Sequence, residues 1–201
     1  PGLLDRLDML RFLEGRGVRM FSSPRAVSGL IDRLACTTTL ALGGIPMPPT
    51  TVTEDTQAAE QAIETYGAAV LKPLFSTKAR GMSLVRPGAA LRDALTEYKR
   101  AYGLFYIQKA VELGQQDLGV VFLGGSYLTT YARRRSEGAW NTTTASGGRY
   151  VPYDPPREVI ELAERAQALF GLDFTCVDVA LTPDGPVVFE VSAFGGFRVI
   201  Q

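Results

Sequence analysis

The sequence predicts an α+β fold with mixed or antiparallel sheets and helices packed against them. Segments with helical apolar spacing alternate with short apolar strands from about residue 56 onward. Two pairs of strands are joined by tight turns, which is typical of β-hairpins. Of the 201 residues, 46% are hydrophobic, which is enough to form real cores in one or two compact domains.

The first 44 residues are predicted to be mainly helical. Leucines recur at helical spacing from Leu3 to Leu13, and Gly15 and Gly17 end this run. Residues 18–21 are apolar and short, which predicts a strand. Ser22 or Ser23 can cap a second helix with Pro24 in its first turn, and this helix is expected to continue to Gly43-Gly44. The proline-rich stretch 45–50 cannot be helical, so it is predicted to be an extended connector.

The remaining elements follow in order along the chain. Residues 134–154 are polar and rich in Gly, Thr and Ser, which predicts a long loop with one strand at most. The two predicted hairpins turn at Gly124-Gly125-Ser126 and at Thr182-Pro-Asp-Gly185. The predicted helices are Thr56–Tyr66, Ala89–Ala101 and Arg157–Phe170, and the predicted strands are Ala68–Leu74, Met82–Arg86, Phe105–Val111, Leu118–Leu123, Tyr127–Ala132, Phe174–Leu181 and Pro186–Ala193.

Composition excludes several classes of protein. The chain has no histidine, so it cannot contain a Ser-His-Asp triad, a Cys-His pair or a His-ligated zinc site. Lys plus Arg equals Asp plus Glu at 21 each, which argues against a nucleic-acid-binding protein. No apolar run approaches a membrane span. The two cysteines lie in apolar surroundings and are predicted to be buried free thiols, in keeping with a reducing, cytoplasmic location.

Two carboxylates inside the last apolar hairpin predict a metal site. Asp178 and Glu190 lie equally far from the turn near Asp184, so we expect them to face each other. Ser192 lies on the same side as Glu190, because side chains alternate along a strand. Oxygen ligands of this kind suit Mg²⁺ or Mn²⁺ held against phosphate. Alternatively, these carboxylates lie at a solvated edge or pair with an arginine.

Three further segments suit a phosphorylated ligand, although each has an ordinary interpretation. Lys72 ends an apolar strand and precedes a small, basic loop that includes Arg80, which suits phosphates but is also typical of a solvated turn. Residues 108–112 could dock an adenine through backbone groups, or simply end a strand. Three arginines, Arg133 to Arg135, could neutralise an acyl phosphate or form a solvated edge that prevents aggregation.

The order of these segments resembles the ATP-grasp superfamily and, within it, the RimK-like glutamate ligases. The resemblance covers nearly the whole chain. It is carried by Phe21-Ser-Ser-Pro24, Ile31-Asp-Arg33, Gly44-Ile-Pro-Met-Pro-Pro-Thr50, Leu71-Lys-Pro73 with its loop to Gly81, Ile107-Gln108, Glu137-Gly-Ala-Trp140, Gly147-Gly148, Gly171-Leu-Asp-Phe174, Val177-Asp-Val179 and Phe189-Glu-Val-Ser-Ala193.

The resemblance implies an ATP-grasp fold in which two α+β subdomains clasp a nucleotide. Residues 1–20 would end a preceding domain and 21–44 would form a linking helix. A lid would span 45–107, and the metal-bearing half would span 108–201. The implied metal ligands are Asp178, Glu190 and Ser192; the implied nucleotide contacts are Arg33, Lys72, Arg80, Gln108, Lys109, Ala110, Val111, Glu112, Asp117, Asn141 and Thr143; and the residues implied to face the acyl phosphate are Arg133 and Arg135.

Some positions depart from the pattern that the resemblance leads us to expect. Arg33 stands where Lys is usual, Gly119 replaces the arginine of an Asp-Ile-Arg signature, and Ser192 replaces an asparagine. The stretch Asn141-Thr-Thr143 replaces Arg-Ser-Asn near the nucleotide. Ser76 and Ala79 occupy loop positions that are often glycine, and Gly195-Gly196 replaces Pro-Gly.

The function implied is an ATP- and Mg²⁺-dependent ligase that joins a carboxylate to an amine through an acyl phosphate. Glutamate is the expected amine, added to a peptide end or a cofactor, and a homo-oligomer is expected without a nucleic-acid or membrane partner. The alternatives are a degenerate module that binds nucleotide without catalysis and acts as a partner subunit, and a kinase-like activity with an alcohol acceptor.

Overall fold

A computed structural model describes residues 2–143 and 146–194 of the chain. These residues group into two compact units, one formed by Pro48–Glu112 and the other by the residues up to Met47 together with those from Leu113 onward. The described elements are α1 Leu3–Gly15, α2 Pro24–Ile31, α3 Arg33–Leu42, β1 Thr50–Thr53, α4 Thr56–Tyr66, β2 Ala69–Leu71, β3 Ser83–Val85, α5 Leu91–Tyr102, β4 Phe105–Lys109, β5 Gln116–Leu123, β6 Ser126–Arg134, β7 Arg149–Pro152, α6 Arg157–Ala168, β8 Phe174–Thr182 and β9 Gly185–Ser192.

The smaller unit is a four-stranded antiparallel sheet with two helices. Its strand order is β1-β4-β2-β3, and α4 and α5 pack on the sheet around Ile63, Leu71 and Leu95. Helix α4 starts at Asp55, whose carboxylate accepts a hydrogen bond of 2.7 Å from the Ala58 N–H. These contacts fix the ends of β2 and β4, where Lys72 and Gln108 lie.

The larger unit is built on a five-stranded antiparallel sheet with the order β7-β6-β5-β8-β9. One face carries buried apolar side chains such as Leu118, Val120 and Val177, which pack with α3 and α6 into the main core. Because side chains alternate along each strand, the residues between them point to the opposite face. That second face carries four of the charged residues that the sequence predicts to be functional, Asp117, Arg133, Asp178 and Glu190.

Most predicted helices and strands are confirmed within one to three residues at each end. Both hairpins form, and β5 pairs with β6 while β8 pairs with β9. The polar loop after β6 contains one described strand, β7. No helix among the described residues is both long and apolar enough to cross a membrane. The predicted turn at Gly195-Gly196 lies outside the described residues.

Two predictions near the N-terminus are wrong, and one strand was not predicted. The helix expected from Pro24 to Gly44 breaks at Asp32, where the backbone is extended and the carboxylate caps a new helix by accepting from the Leu34 N–H at 2.9 Å. Residues 18–21 form no strand, because no neighbouring strand pairs with them among the described residues. The connector 45–50 is extended, but it leads into β1, which pairs with β4 and was not predicted.

Close packing on the second face of the larger sheet requires a glycine at position 119. A Cβ atom placed on Gly119 would lie 2.3 Å from the ring of Tyr131, on the neighbouring strand. The same ring makes an edge contact with Tyr150, with 5.1 Å between ring centroids. Tyr131 therefore lies across the sheet face in the space that any larger residue at position 119 would enter.

We expect Gly119→Ala to destabilise the protein by about 1–3 kcal/mol, because the added methyl group overpacks a buried contact. Urea unfolding measures this as a lower midpoint. Gly29→Ala is the matched control, since a Cβ there meets nothing within 4 Å and the site is helical, where alanine is favoured. Equal stability of the Gly119 variant and the wild type would contradict the packing described.

Candidate active site

The two carboxylates predicted to face each other do so. Asp178 on β8 and Glu190 on β9 are direct cross-strand partners. This pairing depends on a β-bulge between Asp178 and Val179, which leaves Phe189 as the extra residue of β9. Ser192 is paired with Cys176, two residues further along the same face, and its hydroxyl accepts from the Phe194 N–H at 3.1 Å.

Arg133 joins three strands on this face through two carboxylates. Its Nε donates to Asp117 at 3.1 Å and its Nη2 also contacts that carboxylate. The same Nη2 lies 3.1 Å from Asp178 Oδ2. The exposed fractions of the three side chains are 18% for Arg133, 6% for Asp117 and 15% for Asp178. The cluster is therefore a largely buried ion-pair network, in which Asp117 orients the guanidinium.

A second arginine reaches the other carboxylate. Arg33 stands at the first position of α3, directly after the capping residue Asp32, and its Nη1 donates to Glu190 Oε2 at 2.7 Å. The Arg33 side chain is 7% exposed, whereas that of Glu190 is 39% exposed. Each of the two predicted metal carboxylates thus has an arginine partner, which was the ordinary alternative that the sequence left open.

The pKa values of the cluster show that it favours positive charge. Burial raises the pKa of Asp178 from its ordinary value of 3.8 to about 7, and Glu190 acts in the same direction, against the lowering effect of Arg133. Burial also lowers the pKa of Arg133, but the charges of Asp178 and Asp117 outweigh it and hold that pKa well above its ordinary value. A further cation beside Asp178 would therefore stabilise its ionised form.

Both cysteines are buried free thiols, as predicted. Burial raises the pKa of Cys36 to about 11 and that of Cys176 to about 12. Cys176 lies on the face of the carboxylates, and its sulfur is 3.2 Å from the Tyr131 hydroxyl. Neither thiol has the depressed pKa of a nucleophile, so the cysteines are structural.

In the smaller unit, Lys72 and Gln108 contact each other. Lys72 Nζ donates to Gln108 Oε1 at 2.5 Å, and the Lys72 N–H donates to the Tyr106 carbonyl at 3.0 Å. Gln108 is 1% exposed, and its Nε2 donates to the Thr50 hydroxyl at 3.1 Å. The ends of β1, β2 and β4 therefore hold the Lys72 ammonium in a defined position.

The basic loop after Lys72 has a strained backbone. Lys78 and Ala79 both have φ of 56°, and Gly81 has φ of 71°. The Arg80 side chain is exposed and donates to the carbonyl and the hydroxyl of Thr77. Short-range backbone hydrogen bonds close this loop, from the Arg80 N–H to the Thr77 carbonyl at 3.2 Å and from the Met82 N–H to the Ala79 carbonyl at 3.1 Å.

The segment predicted to dock adenine has two backbone donors, the N–H groups of Val111 and Glu112, without an acceptor among the described residues. The Lys109 N–H donates to the Pro49 carbonyl at 2.8 Å, and the Ala110 N–H donates to the Ala68 carbonyl at 2.9 Å. Glu112, the last residue of this unit, is exposed.

Two other predicted contacts lie in the larger unit. Asn141 Oδ1 accepts from the N–H and the hydroxyl of Thr143, at 3.1 and 2.8 Å, in a local turn. The Arg135 side chain is exposed and forms no hydrogen bond or ion pair within residues 2–143 and 146–194. The structure thus brings together Asp117, Arg133 and Asp178, pairs Glu190 with Arg33 and Lys72 with Gln108, and leaves Arg80 and Arg135 apart from these contacts.

The sequence analysis missed Tyr131 and Thr50. Tyr131 lies two residues before Arg133 on the same strand, so alternation alone places both on one face. Thr50 ends the proline-rich connector, and its partner role depends on the unpredicted strand β1. Tyr131 could have been found from its spacing to Arg133. Thr50 could be found only once the pairing of β1 with β4 was known.

The residues present fit a divalent cation held together with phosphates. Among the described residues, no group of three or more Asp, Glu, Cys or His side chains forms a metal cage. Two facing carboxylates with one hydroxyl nearby form an incomplete oxygen ligand set, and Mg²⁺ commonly completes such a set with water and phosphate.

Comparisons with known proteins give a consistent result. Residues 31–201 match the RimK-like ATP-grasp domain family. The tetrahydromethanopterin:alpha-L-glutamate ligase of Methanosarcina acetivorans is 28% identical, covering 89% of this chain and 58% of the relative. The enzyme of that name from Methanocaldococcus jannaschii is also 28% identical, covering 94% and 66%. The chain thus spans roughly three fifths to two thirds of the length of these relatives.

Solved structures identify the fold as ATP-grasp, as predicted. A RimK domain ATP-grasp protein from Sphaerobacter thermophilus has a TM-score of 0.75 and 24% identity, covering 98% of this chain and 70% of that one. The ATP-grasp ligase PsnB with its minimal precursor, Mg and ADP has a TM-score of 0.72 and 22% identity, covering 96% and 59%.

We expect Asp178→Asn to change how stability depends on pH in metal-free protein. The pKa of Asp178 is about 7 when folded and near 3.8 when unfolded, so the folded state binds more protons between these values. The free energy of unfolding of the wild type should therefore fall as pH rises from about 4 to 7, by at most about 4 kcal/mol from this group. Urea unfolding across this range measures the slope.

The Asn variant should lack this part of the slope. Asp184→Asn is the control, because it removes an aspartate that is exposed in the β8–β9 turn. Identical slopes in the wild type and both variants would show that Asp178 ionises normally.

Proposed function

This chain belongs to the RimK-like ATP-grasp family, and from that premise we propose that it carries the nucleotide- and metal-binding machinery of a carboxylate–amine ligase. The proposed reaction consumes ATP, activates a substrate carboxylate as an acyl phosphate and forms an amide. Since the chain spans 58% and 66% of two relatives, the proposal concerns the protein that contains this chain.

The observation that carries the proposal is the placement of Asp178 opposite Glu190, beside Arg133, on one face of a sheet. Burial of charged groups is costly unless they are compensated, so their concentration here needs a reason. A phosphoryl-transfer site needs carboxylates for metal and cations for the transferring group, and this face supplies both.

We assign the metal to Asp178, Glu190 and Ser192. When bound, Mg²⁺ would neutralise phosphate charge and orient the transferring group. The raised pKa of Asp178 supports this assignment, because a cation would favour its ionised form. Glu190 would exchange its Arg33 partner for the metal.

The first proposed nucleotide contacts are residues of the smaller unit. Lys72 supplies an ammonium that is already oriented by Gln108, and the loop containing Arg80 supplies backbone N–H groups and a guanidinium. Within the adenine segment the N–H groups of Val111 and Glu112 are the donors without an acceptor among the described residues, since those of Lys109 and Ala110 are used. Glu112, Asn141 and Thr143 remain proposed contacts to the nucleotide.

Arg133 is the proposed catalytic residue. Its guanidinium would hold the oxygens of the acyl phosphate while the amine attacks the carbonyl carbon and phosphate leaves. Asp117 acts through Arg133 by fixing its orientation on two strands. Arg135 is assigned to the same anion more weakly, because its side chain is exposed.

Glutamate is the proposed amine substrate. Two relatives are named as ligases of alpha-L-glutamate to tetrahydromethanopterin, and others are named as probable alpha-L-glutamate ligases. The test is ADP release by the purified protein with ATP, Mg²⁺, glutamate and a candidate carboxylate acceptor. Release that requires both glutamate and acceptor supports the ligase. ATP binding without any release argues against it.

We expect Glu190→Gln to remove the metal-dependent part of ATP binding. Calorimetric titration of ATP into the wild type should show tighter binding with Mg²⁺ than without it. In the variant the two titrations should agree, because a ligand charge is lost. Glu161→Gln, on the exposed face of α6, is the matched control. Ser192→Ala tests the same site without disturbing Arg33. Full Mg²⁺ dependence in both site variants would remove the metal assignment.

We expect Lys72→Ala to weaken ATP binding about tenfold or more, the usual effect of losing one charge-assisted hydrogen bond. Lys99→Ala is the control, because Lys99 is an exposed lysine on α5 of the same unit. Circular dichroism should show that both variants are folded. Equal ATP affinity in the two variants would contradict a phosphate role for Lys72.

A further inference from the structure

Two arginines face each other on the sheet surface opposite the candidate active site. Arg134 on β6 is the direct cross-strand partner of Arg149 on β7. Because side chains alternate, Arg134 points away from the face that carries Arg133. Gln116 on β5 is the partner of Arg134 on its other side. We call Gln116, Arg134 and Arg149 the arginine row.

The arginine row has no acidic partner in the part of the chain that the structure describes. None of the six ion pairs among the described residues includes Arg134, Arg149 or the neighbouring Arg135. All three side chains are exposed. By contrast, the exposed Arg92 and Arg157 each have a glutamate partner, at 2.9 and 2.7 Å. Like charges directly opposite each other on a sheet are unfavourable, so this arrangement lacks the compensation found elsewhere on the surface.

Local structure holds both arginines in place. Arg134 Nε donates to Gln116 Oε1 at 3.2 Å, which leaves its two terminal nitrogens available. Arg149 follows two glycines that pack tightly. A Cβ on Gly147 would lie 2.4 Å from the Ser136 hydroxyl, and one on Gly148 would lie 2.1 Å from the Thr142 carbonyl. These close approaches fix the start of β7 beside the end of β6, so the row is formed before any ligand arrives.

We propose that the arginine row binds an extended acidic segment of the peptide that serves as the ligase's acceptor. This proposal rests on the proposed function, because it takes the bound peptide to be the acceptor of the ligase. Binding of the peptide does not itself require turnover. Guanidinium groups pair well with carboxylates, and two opposed guanidiniums are relieved by anions placed between them.

A peptide fits better than a single small anion. Exposed ion pairs contribute little individually, so one carboxylate would be held weakly here. Several carboxylates along one chain can engage Arg134 and Arg149 together. The row also lies at the edge of the sheet, since β7 is the outer strand in the order β7-β6-β5-β8-β9. An extended chain can lie along such an edge.

The competing interpretation is an edge that uses charge to prevent aggregation. It predicts no preference for acidic peptide beyond general electrostatic attraction. The two interpretations therefore differ in whether the loss of Arg134 or Arg149 matters more than the loss of any other exposed arginine.

The experiment measures binding of a fluorescein-labelled hexaglutamate peptide to the 201-residue chain by fluorescence anisotropy at low salt. Hexaglutamine with the same label is the peptide control. The variants are Arg134→Gln, Arg149→Gln and the double variant. Arg92→Gln is the matched protein control, because it makes the same change in net charge at an exposed arginine in the other unit.

We expect each single variant to raise the Kd for hexaglutamate about threefold and the double variant about tenfold, in line with exposed ion pairs. Arg92→Gln should leave the Kd within about twofold. Four results would overturn the proposal: no hexaglutamate binding by the wild type, equal binding of hexaglutamine, equal weakening by Arg92→Gln, or displacement of the peptide by submillimolar inorganic phosphate.

A parallel titration of ATP with Mg²⁺ separates this inference from the proposed function. Protein that binds ATP but not hexaglutamate overturns the arginine row and leaves the ligase assignment intact. Protein that binds hexaglutamate in the expected pattern but no ATP supports the row as a peptide site and counts against the ligase.

Discussion

The ion-pair network around Arg133 is the interaction on which the second face of the larger sheet depends. The Arg133 guanidinium on β6 contacts the Asp117 carboxylate on the neighbouring strand β5 and the Asp178 carboxylate on β8 beyond it, so it links three successive strands of the sheet. Removing one member of a buried pair commonly costs 3–5 kcal/mol, because the other charge is left unpaired. The same residues therefore stabilise the sheet and form the proposed site. A substitution among them is expected to affect both stability and activity.

Charge balance explains why this face suits a metal. Arg33 and Arg133 bring two positive charges to three carboxylates, those of Asp117, Asp178 and Glu190. The carboxylate least compensated by positive charge is that of Asp178, whose pKa is raised by burial and by Glu190. A divalent cation with bound phosphates would supply positive charge to the carboxylates and leave the arginines for the phosphate oxygens.

The sequence predicted the fold class, both hairpins and the opposition of Asp178 and Glu190. The prediction that Asp178 faces Glu190 is correct because two deviations from the simple count cancel each other. The count placed the turn centre on Asp184, whereas Thr182 in fact pairs with Gly185, so the centre lies between Pro183 and Asp184. The bulge at Phe189 adds one residue to β9 and restores the pairing. Without that bulge, Glu190 would point to the apolar core.

Other features could not be predicted because they depend on tertiary contacts. The helix break at Asp32 follows from a cap that competes with an otherwise acceptable helical run, and it directs Arg33 to Glu190. The pairing of arginines with both carboxylates required the positions of α3 and β6 relative to the last hairpin. Periodicity gives the face of a residue, but it does not give its partner.

The packing of Tyr131 over Gly119 also has a consequence for how this site can evolve. The resemblance to RimK-like ligases leads us to expect an arginine at position 119, and here the ring of Tyr131 occupies the space that its first carbon would need. An arginine introduced at position 119 while Tyr131 is present would overpack this contact, as alanine does. A smaller residue at position 131 removes the clash, so the residues tolerated at these two positions depend on each other.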